Sequence, residues 1–252
     1  MDMKGRRAVV VGGASGMGRA TAELFSDRGA TVTVLDREGS DGAAVAERVN
    51  GAFHPVDVTD FGGTQQALAA AVSALGGLDI VVTTAGGGVP ARTLGRSGPH
   101  DLNTFREVLE LNAVASFNIS RLTAAHMAAN EPDDGERGVI VNTSSIAAFE
   151  GQIGQVAYSA AKGAIAAMSL TMARDLGSLG IRVCAIAPSL FETGALAGMS
   201  EDQKSALVEG AAFPRRMGRP VEYAKLAAAI VDNPMLNGQC LRLDAGQRFG
   251  PK

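Results

Sequence analysis

An apolar run from Ala8 to Val11 passes without a break into Gly12-Gly-Ala-Ser-Gly16-Met-Gly18 and then into a helical pattern from Arg19 to Arg28 closed by Gly29. A β-branched run, Thr31-Val-Thr-Val-Leu35, follows and ends at Asp36. So many glycines between two regular segments specify a tight turn, with bare backbone where the helix presents its free amide groups. Strand, glycine turn, helix, strand commits the chain to a parallel sheet with helical crossovers. Taken alone, the cluster also suits an ordinary loop, because its spacing differs from the GxGxxG fingerprint.

The alternation continues. We read a helix over about Asp41 to Val49, a short strand near Ala52-Phe-His54 and a helix from Thr64 to Leu75 with Asp60 or Thr59 as its cap. A buried strand, Asp79 to Val82, precedes a surface excursion from Val89 to Asn103. A long helix then starts near Thr104, with Phe105, Val108, Leu109, Leu111, Val114, Phe117, Ile119 and Leu122 inward and polar Asn112 among them. The charged loop Glu131 to Arg137 reads as solvated, and the strand Val139 to Val141 follows. The helix carrying Tyr158 runs through Leu176 to a stop at Gly180, and the strand Arg182 to Ala187 ends at Pro188-Ser189. After Pro220 come a helix to Val231 and a closing strand, Cys240 to Leu243. Residues 190–217, with Leu190, Phe191, Leu196, Met199, Leu207 and Phe213, suit either a lid over an oily substrate or a packed core helix. The expectation is an α/β chain in which 1–252 is a single Rossmann-like domain, a doubly wound parallel sheet of about seven strands with helices on both faces.

Charge and composition narrow the function classes. Lys and Arg number 23 against 26 Asp and Glu, for a net charge of -3 with no basic block, which disfavours nucleic acid and membrane partners. Cys184 and Cys240 stand in apolar segments and His54, His100 and His126 are scattered, so no metal site is expected. The strand begins within a few residues of Met1 and no apolar run reaches membrane-spanning length. We expect a soluble cytoplasmic protein of bacterial type, or one of the mitochondrial matrix if a leader was trimmed.

Asp36 lies 18 residues after Gly18, at the end of the second strand, close to where a carboxylate accepts hydrogen bonds from an adenosine ribose. It would repel a 2'-phosphate and so selects NAD over NADP; adjacent Arg37 pulls the other way, and a solvated loop acid is the alternative reading. Thr83-Thr-Ala-Gly86-Gly-Gly88 reads as the floor of a cofactor crevice or as a plain βα turn. Tyr158 and Lys162, four residues apart on one helix face, place an ammonium near a phenol, behind Asn142-Thr-Ser-Ser145 at a strand end. Bringing a phenol from about 10 to near 7 takes roughly 4 kcal/mol of preferential stabilisation of the phenolate, and a nearby cation is its simplest source.

Gly12 to Gly18, Asp36, Asp57-Val58, Ala85-Gly86, Asn112, Ser145, Tyr158 and Lys162 resemble, in order and spacing over nearly the whole chain, the short-chain dehydrogenase/reductase family. Asn130-Glu-Pro-Asp, Ala148-Phe-Glu-Gly-Gln152, Phe213-Pro-Arg-Arg and Asn237-Gly-Gln look more closely like the type II 3-hydroxyacyl-CoA dehydrogenases, also described as 17β-hydroxysteroid dehydrogenases. Those enzymes are NAD-dependent homotetramers that interconvert secondary alcohols and ketones. The resemblance implies Tyr158 as acid and base, Ser145 on the substrate oxygen, Lys162 on the nicotinamide ribose and Asn112 holding a water in a proton relay. It implies Gly12, Ser15, Gly16, Met17 and Gly18 around the pyrophosphate and ribose, and Asp36 at the adenosine ribose. Asp57 with Val58 would border the adenine, Ala85, Gly86, Pro188 and Thr193 would line the rest of the cofactor, and Gln152 would lie on the substrate side. The implied substrate is an apolar acyl thioester or a steroid. A 3-oxoacyl carrier-protein reductase using NADPH is the alternative within the family, and an NAD-binding scaffold is the alternative outside it. Three positions depart from the family: Val11 replaces a threonine, Thr83 an asparagine and Ser189 a glycine, from which we expect altered cofactor affinity rather than lost chemistry.

Overall fold

The structure is a computed structural model that describes residues 1–194 and 200–251. Its elements in chain order are β1 (Arg7–Val11), α1 (Gly16–Asp27), β2 (Thr31–Asp36), α2 (Gly42–Arg48), β3 (Ala52–Pro55), α3 (Phe61–Leu75) and β4 (Ile80–Thr83). The surface excursion carries a small antiparallel pair, β5 (Leu94–Gly95) and β6 (Gly98–Pro99). Then come α4 (Leu102–Leu109), a π-helical turn (Glu110–Val114), α5 (Ala115–Met127), β7 (Gly138–Thr143) and α6 (Val156–Leu176). The chain finishes with β8 (Ile181–Pro188), α7 (Glu201–Leu207), α8 (Pro220–Asp232) and β9 (Cys240–Leu243). Seven strands form one sheet in the order β3-β2-β1-β4-β7-β8-β9, all pairs parallel.

Alternation along the strands builds two cores. Val10, Val34, Val82, Val141 and Ile186 face Phe25 of α1 and Tyr223, Ala227 and Val231 of α8. Their neighbours Val9, Leu35, Val81, Ile140 and Val183 face Leu68 of α3, Ile119 of α5 and Met172 of α6. Successive side chains on a strand point to opposite faces, so a sheet covered on both sides needs the unbroken apolar runs seen in the sequence. The order reverses between β1 and β4, and their carboxyl ends open the crevice where ligands bind in open α/β sheets.

Local signals explain most element ends, and some expectations need correction. The helix expected from Thr64 begins at Phe61, because the Asp60 side chain accepts from Gly63 N and caps it there; Gly76, at φ 72°, ends it. Val114 and Phe117, expected inward, are 41% and 46% exposed. The π turn is the physical reason: an extra residue per turn breaks the single helical period, so Ala113 and Ala115 are buried instead, while Ile119 is buried as expected.

The loop from Glu131 to Arg137 is not merely solvated. Arg137 Nε donates to the Asn130 carbonyl, and Glu136 receives Arg182 Nε at 2.6 Å. Arg182, 6% exposed, also donates to the carbonyls of Ile230, Val231, Asn233 and Leu236. One guanidinium thus closes the end of α8, whose last carbonyls have no partners within the helix. Arg7 plays a related part beside it, held in a two-pronged pair by buried Asp79.

The 190–217 segment combines buried Phe191, Val208 and Met217 with α7, whose Ser200 and Gln203 form a reciprocal capping box. Leu196 and Met199 lie outside the described residues. Phe213 is 85% exposed, so the segment is not simply a core helix. The chain after β9 was passed over in the sequence and proves structured. Arg242 pairs with Glu150 and Asp244, Gln247 Nε2 donates to the Leu207 carbonyl, and Ile153 N donates to the Pro251 carbonyl. No described helix is long and apolar enough to cross a membrane, and no group of three or more potential metal ligands occurs among the described residues.

Candidate active site

The glycine turn after β1 is the first wall of the crevice. Gly12 has φ 80° and Gly16 φ 50°, backbone that disfavours any side chain. A Cβ on Gly12 would stand 2.5 Å from Ala85 N, and one on Gly18 2.0 Å from the Gly12 carbonyl oxygen. The turn is held by Gly12 N and Gly13 N donating to the Leu35 carbonyl and by Thr84, whose hydroxyl reaches the carbonyls of Val11 and Gly12 at 3.1 and 3.0 Å. Thr84 is a residue the sequence reading missed. It supplies the bracing that Val11 and Thr83 leave in doubt, while the Thr83 hydroxyl itself is buried without a partner. Ser15 caps α1 with extended backbone and makes no side-chain capping bond, which leaves the first-turn amides open toward an anion.

Two clefts share this wall. One, of about 400 Å³, is lined by Gly12, Ser15, Asp36, Asp57, Val58 and Ala85. Asp36 accepts from Ala14 N at 2.9 Å and from Arg37 N at 2.7 Å, one bond to each oxygen, so the carboxylate keeps lone pairs for a hydroxyl. Asp57 is tied to Thr59 through its hydroxyl and amide, which holds its carboxyl below the usual range. The other cleft, of about 410 Å³, is lined by Gly16, Met17, Gly18, Ser145, Tyr158 and Lys162, with Pro188 and Thr193 opposite. Gly12, Ser15, Thr84 and Gly86 border both clefts, so they form one continuous groove. This arrangement fits a dinucleotide, with the open amides of α1 at the junction.

Ser145 and Lys162 are buried, and Ser145 and Tyr158 line the same cleft. Lys162 Nζ lies 5.6 Å from the centre of the Tyr158 ring and donates to the Thr143 carbonyl at 2.9 Å. Burial lifts the Tyr158 phenol above its ordinary value, partly offset by Ser145, and burial presses the Lys162 ammonium down to about 8. Burial penalises the charged form of each group, so helical spacing by itself does not make the phenol acidic, and a charge beside it must supply the stabilisation of the phenolate.

Asn112 is placed by the π turn and fully buried. Its amide nitrogen donates to the carbonyls of Gly87 and Val108, and its oxygen accepts from Gly87 N. The side chain clamps the Gly86–Gly88 loop, and its oxygen, with one bond accepted, keeps a lone pair for a further donor. It remains close to the lysine: a Cβ on Gly86 would be 2.6 Å from Asn112 Oδ1 and 3.1 Å from Lys162 Nζ. Gln152 is not brought into the Tyr158 cleft. The turn around Gly154 carries it into neighbouring clefts, where its Nε2 reaches the Gly250 carbonyl at 3.4 Å. Beyond Thr84, the sequence reading placed Thr143 and Ser144 at the strand end without a role and passed over Tyr223. Ser144 Oγ donates to the Lys162 carbonyl, and its small polar character at a strand end was the only signal available.

A sequence model of the short chain dehydrogenase family matches residues 6–204. The chain belongs to that family: it is an oxidoreductase with a small-molecule substrate and a nicotinamide nucleotide cofactor. Among its relatives, 3-hydroxyacyl-CoA dehydrogenase type-2 of Homo sapiens is 47% identical over 255 residues, covering 99% of this chain and 98% of that protein. The Drosophila melanogaster enzyme of the same name is 46% identical, covering 99% and 100%. The crystal structure of 3-hydroxyacyl-CoA dehydrogenase type-2 from Mycobacterium avium superimposes with a TM-score of 0.94 at 40% identity, covering 98% of each chain.

Proposed function

We propose that the protein interconverts a secondary alcohol and a ketone with NAD, acting on a 3-hydroxyacyl-CoA or a hydroxysteroid. The observation that carries this reading is the meeting of Ser145, Tyr158 and Lys162 in one cleft that continues to Asp36. The substrate class rests on the relatives named above and on apolar residues beside the Tyr158 cleft. Val89, Phe149 and Ile153 are at least half exposed there, on segments that flank Tyr158. Asp36 favours NAD, and Arg37 is the single feature that favours NADP.

In the oxidative direction Tyr158 as phenolate takes the proton of the substrate hydroxyl, while Ser145 donates a hydrogen bond that fixes the oxygen. The Ser145 oxygen already accepts from Ala147 N, so its own proton is free for that bond. Lys162, held by Thr143, lends positive charge to the phenolate, and the oxidised nicotinamide, when bound, accepts the hydride and adds a further positive charge. Ser15, Gly16, Met17, Pro188 and Thr193 border the cofactor in this reading, and Leu190 and Phe191 line the same cleft. Free Cys184 and Cys240 agree with a reducing cytoplasmic setting.

Steady-state rates with NAD and NADP over 3-hydroxyacyl-CoAs of graded length, short alcohols and hydroxysteroids test this assignment. Turnover of a 3-hydroxyacyl-CoA or a steroid, at least about 10-fold more efficient with NAD than with NADP, is expected. Preference for NADPH and a carrier-protein thioester would instead make the enzyme a 3-oxoacyl carrier-protein reductase. Tight NAD binding without turnover of anything in the panel would point to a scaffold role.

A homotetramer is part of the same reading. The resemblance implies it, and Val114, Phe117 and Leu170 leave apolar surface on α5, its preceding turn and α6 for a second copy to cover. Sedimentation velocity should show tetramers for the wild type and smaller species for Phe117→Glu; a monomeric wild type at micromolar concentration would refute the assembly.

A further inference from the structure

On the α8 side of the sheet, Tyr223 is completely buried and its hydroxyl lies 2.7 Å from Thr143 Oγ1. That oxygen in turn lies 2.6 Å from the Thr83 carbonyl oxygen. A carbonyl only accepts, so the Thr143 proton is committed to Thr83 and the Tyr223 hydroxyl must donate to Thr143. The direction of the chain is thereby fixed: from α8, to the end of β7, to the end of β4. Thr143 also offers its main-chain carbonyl to Lys162 at 2.9 Å, the single hydrogen-bond acceptor of that ammonium among the described residues. Ser144 and Ser145 follow directly, the first tied to the Lys162 carbonyl and the second at the reacting oxygen.

We propose that Tyr223 is a positioning residue for the oxidoreductase reaction: by holding Thr143 from the far face of the sheet, it holds the Lys162 ammonium against the Tyr158 ring. The inference rests on the reading of Tyr158 as acid and base. The groups facing Tyr158 and Lys162 from neighbouring elements are Ser145, Thr143 and the Asn112 amide, and the cleft lining carries no carboxylate, histidine or second cation. Lys162 is therefore the protein charge to which Tyr158 is most sensitive, and a small loss of its hold is read directly by the phenol.

Tyr223→Phe keeps the ring in its cavity and removes one hydrogen bond. The chain has 2 tyrosines and no tryptophan, so in this variant Tyr158 is the sole phenol, and near-ultraviolet phenolate absorbance titrates it without substrate. In the wild type, burial lifts Tyr223 far above the ordinary range and keeps it out of the measurement. The titration is done with saturating oxidised nicotinamide nucleotide, whose positive charge favours the phenolate while Lys162 is still charged. The Tyr158 midpoint in Tyr223→Phe is expected to move roughly 0.5–1 pH unit to the alkaline side, with a matching shift in the acidic limb of kcat/KM for oxidation. Thr143→Val should give the same shift, and the double variant no more than either alone. An unchanged midpoint with a lowered Tm would overturn the proposal and leave Tyr223 as a core residue. Absence of turnover in the wild type would count against the proposed function alone, since the absorbance midpoint still decides the role of Tyr223.

Discussion

Tyr158→Phe is expected to lower kcat for alcohol oxidation by about 10²–10⁴-fold, the usual worth of a positioned acid or base, while cofactor affinity changes by no more than about threefold. Phenylalanine fills the same space against Gly88, where a Cβ would already stand 2.9 Å from the Tyr158 ring, so the fold is not at risk. The lost atom is the one that moves the proton. The pH dependence follows from the phenol being the group that must ionise. Oxidation should rise with pH until Tyr158 is deprotonated, and reduction should fall over the same range because it needs the phenol protonated. In the residual activity of Tyr158→Phe that limb should disappear. Steady-state kinetics from acid to alkaline pH check both claims, and a variant with wild-type turnover and an unchanged profile would remove Tyr158 from the chemistry.

The second large effect concerns stability. Arg182→Met is expected to cost about 3–5 kcal/mol, because it leaves the carbonyls at the end of α8 without their donors and partly buried Glu136 with only the Met1 ammonium as a partner. At roughly 2–4 °C per kcal/mol for a chain of this size, Tm should fall by roughly 6–20 °C. Arg182→Lys should fall between wild type and Arg182→Met, since one ammonium cannot reproduce the spread of a guanidinium that reaches four carbonyls and a carboxylate. Calorimetry decides it: a Tm for Arg182→Met within about 2 °C of wild type would mean that these bonds add nothing net to the fold.

Legibility in the sequence was uneven for identifiable reasons. The strand–turn–helix order was readable because the central strands are buried on both faces and the turns call for glycine or a capping acid, both local demands. Ser145, Tyr158, Lys162 and Asp36 were readable because residue type and spacing place them at strand ends and on one helix face. Val114 and Phe117 were misplaced because a π turn, which has no sharp sequence signal, shifts the helical phase midway. That Gln152 lines the clefts beside that of Tyr158 was not legible, because a turn and the carboxyl-terminal segment decide where its side chain goes. Arg182, Thr84 and Tyr223 were passed over because their partners lie 46 to 54, 72 to 73 and 80 residues away along the chain.

The sequence by itself determined the parallel α/β architecture, the family and the grouping of Ser145, Tyr158 and Lys162 that the fold brings into one cleft. These depend on periodicity and on short-range spacing, which a linear chain displays. Only the tertiary structure decided how the glycine turn is braced, which backbone groups the Asn112 side chain clamps and that Tyr158 and Lys162 meet in a buried cleft. Those outcomes depend on burial and on hydrogen bonds between residues far apart in the chain, and neither exists until the sheet has brought its carboxyl ends together.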